Sequence, residues 1–231
     1  MRISTLLIAG ALVSAACSDA NSPTSKPSHL ESLKIVSGAS QTGTVATVLA
    51  ESIAVVATDS NGSPAKGIGV AFGPSGIGVA SPSSPVTDAT GRVAVTWALD
   101  TVAGTDTLLV TALDPTASLD LITDTVYATA TAGPAVNLIK RAGDQQTGTH
   151  GAALADSLTV WVTDQYRNPI SGVVITWAVT GGGGTVHPGT STTGATGVAS
   201  TQWILGPTPG ANTATAAATG LTTMTFQATG N

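Results

Sequence analysis

Cysteine is almost absent from this chain. The single Cys17 among 231 residues excludes an internal disulfide. Each folded unit must therefore stand on its apolar core, which units of about 100 residues can do. Charge is scarce too. Asp, Glu, Lys and Arg make up only 9% of the residues, with 8 basic against 13 acidic side chains. The net charge of −5 becomes −6 without Arg2 of the leader. Lys140-Arg141 is the only basic pair, and it reads as a solvated strand end. That balance argues against nucleic acid, and against anionic lipid held through a basic patch. Good helix formers are few, whereas Thr, Val and regularly spaced Gly are abundant. Such a composition favours strands and turns over helices. Aromatics, at 3%, allow only a few large rings per core.

The N-terminus carries an address. Met1-Arg2 precedes an apolar stretch from Ile3 to Ala16, about 14 residues and short of the roughly 20 that span a membrane. It ends Leu12-Val-Ser-Ala-Ala-Cys17. Small residues before a lone Cys resemble the lipobox of bacterial lipoproteins, with Ser14 where that pattern prefers Leu. The resemblance implies cleavage after Ala16 and acylation of Cys17, a membrane anchor of several acyl chains. An ordinary secretory leader is the alternative. Ser18 rather than Asp follows the Cys, as in lipoproteins sent to the outer membrane. The reading is a leader over 1–16, then Cys17 with a Pro- and Ser-rich tether over 17–32.

The remainder repeats itself. Gln41-Thr-Gly-Thr44 recurs as Gln146-Thr-Gly-Thr149, Asp59 as Asp164, Pro64 as Pro169 and Gly67 as Gly172, all at an offset of 105 (164 − 59). Ala89-Thr-Gly91 recurs as Ala195-Thr-Gly197 and Trp97 as Trp203, at 106 (203 − 97). Tyr127 is matched to Phe226 at 99 (226 − 127), which gives the first copy about seven extra residues within 114–124. Apolar residues alternate with period two: Ile53, Val55 and Ala57 on one face, and Leu158, Val160 and Val162 on its counterpart. Short alternating strands with frequent turn signals predict an all-β chain of two antiparallel sandwiches, over 33–132 and 133–231, joined at Ala132-Gly-Pro134.

The order of motifs is specific. A strand leads to Asp-x-x-Gly/Asn-x-Pro-x-x-Gly, then a strand ending in Phe72 or Trp177, then Thr-Asp/Gly-Ala-Thr-Gly, then a strand ending in Trp97 or Trp203. This resembles the bacterial immunoglobulin-like domains of the invasin and intimin type. The resemblance implies two tandem immunoglobulin-like β-sandwiches. For function it implies only adhesion, surface interaction or spacing, since many roles share such modules. The membrane barrel and terminal lectin-like domain of invasin and intimin have no counterpart in these residues.

Chemistry is harder to find. His29, His150 and His187 lack a second His or Cys at ligand spacing. Gly73-Pro-Ser-Gly-Ile77 misses the Gly-x-Ser-x-Gly elbow at its last residue, and Gly181–Gly184 lacks the Lys-Ser/Thr of a phosphate loop. No catalytic residue, metal site or cofactor is expected. Asp59, Asn61 and Asp88 suggest calcium, but the second copy replaces Asn61 with Tyr166 and Asp88 with Gly194. Bonds from Asp59 and Asp164 to their own turns suit both copies better. Trp161 is the exception to the pattern. It falls on the face opposite Leu158, Val160 and Val162, where the first copy has Val56, and Tyr166 follows in the adjacent turn. An outward Trp with a nearby Tyr suits sugar stacking or a protein contact. A rim Trp covered by a loop or by the neighbouring unit is the competing reading. The expected partners are a membrane, through the lipid anchor, and a surface protein or glycan.

Overall fold

Period-two alternation buries every second side chain, and the chain forms strands accordingly. A computed structural model describes residues 29–113 and 121–231. In the first half lie β1 (Leu30–Ser37), β2 (Gln41–Thr44), β3 (Ile53–Asp59), β4 (Val70–Pro74), β5 (Val79–Ser81), β6 (Arg92–Ala98), β7 (Gly104–Leu113) and β8 (Leu121–Thr131). In the second lie β9 (Asn137–Ala142), β10 (Gln146–Gly148), β11 (Leu158–Thr163), β12 (Val174–Gly181), β13 (Thr185–His187), β14 (Thr190–Thr192), β15 (Val198–Ile204), β16 (Gly210–Ala217) and β17 (Met224–Gly230). All regular structure among the described residues is β. The leader, Cys17 and the tether as far as residue 28 lie outside them, as do residues 114–120. Strand β1 takes in the last residues of the stretch read as tether.

Each half pairs two sheets. The first holds β1-β3-β6-β5 against β2-β8-β7-β4; the second holds β13-β15-β11-β9 against β10-β17-β16-β12-β14. Inward side chains fill the space between. Ile53, Val55 and Ala57 of β3 are fully buried, as are Leu158, Val160 and Val162 of β11. Trp97 and Trp203 sit at the centre of their cores, and the two cores are separate clusters. Two sheets around one thin core, made twice, are two immunoglobulin-like sandwiches. The pairing is antiparallel except that β2 runs parallel to β8, and β10 to β17. The chain first pairs as β1 with β3, then crosses to the other sheet as β2. Gly38 and Gly143, with φ of 82° and 87°, stand at the crossing. A Cβ there would lie 2.6 Å from the Ser52 carbonyl or 2.4 Å from that of Ser157, so only glycine fits.

One matched pair needs correction. Gly104 opposes Ala130 in the β7–β8 ladder, and Gly210 opposes Gly230 in the β16–β17 ladder. The last strands therefore match at an offset of 100 (230 − 130), which pairs Phe226 with Val126 rather than with Tyr127. Phe226 and Val126 are buried, while Tyr127 is 56% exposed. Aligning by aromatic character slipped the register by one, and a slip of one reverses the face. The first copy's extra length enters its β7–β8 hairpin, whose ladder continues to Leu113 and Leu121.

Candidate functional site

The residues that mark the repeat tie each sandwich together. Gln41 Nε2 donates to the Gly38 and Glu51 carbonyls at 2.8 and 2.9 Å, and its Oε1 accepts from Glu51 N at 2.8 Å. Gln146 makes the same three bonds with Gly143 and Asp156. Thr87 Oγ1 donates to the Ala65 carbonyl, and Thr193 Oγ1 to that of Ile170, each at 2.7 Å. Gly91 and Gly197 turn back at φ of 70° and 73°, where a Cβ would meet the Ala57 or Val162 carbonyl at about 2.5 Å. Asp59 Oδ1 accepts from Asn61 N and Ser63 N, each at 2.9 Å. Asp164 Oδ1 accepts from Tyr166 N and Asn168 N, each at 2.8 Å. Both aspartates thus bind their turns, as expected. Among the described residues no three His, Cys, Asp or Glu side chains cluster as metal ligands would.

The two turns then diverge. Ser63 of the first module matches Asn168 of the second (168 − 63 = 105). Asn168 is 6% exposed and reaches across the boundary between the modules. Its Nδ2 donates to the Thr101 carbonyl and to Asp164 Oδ2, both at 2.8 Å. Its Oδ1 accepts from Ala103 N, also at 2.8 Å. Both amide protons and the amide oxygen are used, and a flipped amide would set N–H against N–H. Asp164, fully buried, takes Gly133 N of the connection at 3.0 Å on Oδ2. Burial raises the Asp164 carboxyl, but the bonds from the Asn168 amide, Gly133, and the Asn168 and Tyr166 N–H groups outweigh it and hold it below the usual range. Only a buried, fully bonded carboxylate is tolerated there. The far pole of the second module cannot repeat the clasp. Ala103 is matched there by Pro209 (209 − 103 = 106), which has no N–H to give.

Trp161 and Tyr166 are not brought together. Tyr166 lines a depression of about 240 Å³ at the junction, with Val45, Thr47, Pro134 and Val136. Trp161 lines another, of about 420 Å³, with Ile139, Lys140, Arg141, Pro169 and Thr196. Ile139 and Val198 oppose Trp161 on the flanking strands. Its Nε1 donates to the Thr196 carbonyl at 3.0 Å, so one edge of the indole is fixed by a loop while the ring remains half-buried. A loop therefore covers one edge of the indole, and the ring lines an open depression. The histidines stay apart, and His29 pairs with Glu31 at 3.1 Å. Sequence reasoning did not single out Asn168. Its signal was the exchange of Ser for Asn at one matched position beside an otherwise unchanged Asp-x-x-x-x-Pro turn.

No family model matches this sequence, and no curated protein does. Solved structures do match. The D0–D1 domain of intimin is 20% identical, covers 86% of this chain and 98% of its own, and superposes with a TM-score of 0.33. The adhesin InvE of Yersinia pseudotuberculosis is 20% identical over 88% of this chain and 60% of its own, with a TM-score of 0.39. InvD of the same organism is 16% identical over 86% of this chain and 57% of its own, with a TM-score of 0.48. The chain is an all-β protein of two tandem immunoglobulin-like sandwiches, similar over most of its described length to modules of these bacterial adhesins.

Proposed function

We propose that this chain is a non-enzymatic surface lipoprotein, anchored through Cys17 at the outer membrane, whose two immunoglobulin-like modules act in adhesion or surface interaction and hold their outer end at a set distance. The observation that carries this reading is the junction. A buried Asn168–Asp164 clasp, bonded to Thr101, Ala103 and Gly133, makes one body of two modules. A linker meant only to join would need no such bonds.

A carbohydrate- or peptidoglycan-binding envelope module is the second reading, favoured by the half-buried indole of Trp161 at an open depression. The test is a binding panel: the full chain in detergent against peptidoglycan, neutral and acidic polysaccharides, and animal-cell surface proteins. Saturable binding to one protein supports adhesion. Saturable binding to one glycan class, lost in Trp161→Ala, supports the second reading. Silence throughout contradicts surface recognition and leaves spacing alone.

A further inference from the structure

The Trp161 depression does not end at the tryptophan. It shares Pro169 and Ala195 with a second depression, of about 500 Å³, that runs into the junction between the modules. The junction end is lined by Ala103, Gly104, Thr131, Gly133 and Ser171, and so offers hydroxyls and backbone. The Trp161 end offers an apolar floor and the chain's one basic pair. The two cations there differ. Lys140 is engaged: it pairs with Asp144, donates to the Thr225 carbonyl at 2.9 Å and lies 5.5 Å from the centre of the Phe226 ring. Arg141 lines the same depression, and no carboxylate among the described residues pairs with it. The net charge of the chain opposes a negative ligand, so the attraction has to be local: a guanidinium with no carboxylate partner among the described residues, beside an indole, can take one carboxylate on its fork.

We infer that this continuous groove binds an extended acidic glycan, a polymer of carboxylate-bearing sugars, with Trp161 stacking on a ring and Arg141 taking its carboxylate. The inference rests on the carbohydrate-binding reading above. An added peptide strand fits the groove less well. The edge strand β9 carries a bulge opposite Thr159 and Val160. The segment after it is tied to the opposite sheet by Gln227 N to Asp144 and Gln145 N to the Gln227 carbonyl, at 2.9 and 2.7 Å. Such an edge is blunted against strand addition, so recognition falls to side-chain faces. An indole face suits the C–H side of a sugar ring, and a guanidinium fork matches a carboxylate on two oxygens.

The test titrates the full chain in detergent with oligomers of polygalacturonate and with their methyl esters, which keep the sugar and remove the charge. Alginate and hyaluronan oligomers complete the series. Saturable binding of at least one acidic oligomer is expected, weakened about tenfold by esterification or by Arg141→Gln with its melting curve unchanged, and lost in Trp161→Ala, which melts lower but still cooperatively because the bond to Thr196 is gone. Equal binding of acid and ester, untouched by Arg141→Gln, overturns the acidic class while leaving the carbohydrate reading in place. Silence toward all three acidic polymers overturns the inference, and the neutral glycans of the panel then decide the broader reading. Binding that survives Trp161→Ala also overturns it, since the site would lie elsewhere.

Discussion

Trp97 and Trp203 occupy the same place in the two modules, and both bury their indole Nε1 with no hydrogen-bond partner among the described residues. An orphaned donor of this kind costs about 1–3 kcal/mol. The same position carries that cost twice, so the volume of the ring has to outweigh it. Trp203→Ala should therefore destabilise the second module by about 3–5 kcal/mol, read as a fall in its melting temperature. Trp203→Phe should cost clearly less, because it removes the orphan together with part of the ring. A Trp203→Ala loss below about 1 kcal/mol would contradict that assignment. These tryptophans were legible in the sequence, since each ends an alternating strand at a matched position. Val126 was not legible as the partner of Phe226. Two neighbouring residues differ only in which face they present, and aromatic character pointed to the wrong one.

At the scale of elements, the turn from β11 to β12 separates structural from functional reading. Its aspartate was predictable as a turn binder, because Asp59 does the same work in the turn from β3 to β4. What the turn reaches was not. Asn168 meets Thr101 and Ala103 some 65 residues earlier in the chain, and no local pattern encodes such a contact. The clasp has a pH signature. The Asp164 carboxyl is held below its ordinary value of about 3.9. The stability it contributes is present above that value and is lost as pH falls through the lower, folded value. Acid titration followed by unfolding should show wild type losing stability below about pH 4, and Asp164→Asn losing less over the same range. Equal acid sensitivity in both proteins would show that Asp164 is not linked to folding in this way.

For the whole molecule, the repeat and the two-sandwich plan followed from spacing, because both copies keep the residues that tie a sandwich together. Recognition was only half legible. Trp161 stood out as an aromatic on the wrong face of its strand, but its company did not: the groove gathers Arg141 from β9, Trp161 from β11, and Pro169 and Ala195 from two turns. Tyr166, its neighbour in sequence, faces the connection at Pro134 instead. The groove continues onto Ala103 and Gly104 of the first module, so its shape depends on the two modules being held together. That dependence makes the clasp the central claim. The measurement that tests it most directly is a pulsed electron-resonance distance between spin labels placed at Thr129 and Thr225, exposed sheet positions of the first and second modules. A single narrow distance distribution in wild type, broadened in Asn168→Ala, is the predicted result. A broad distribution in wild type, unchanged in Asn168→Ala, would contradict it.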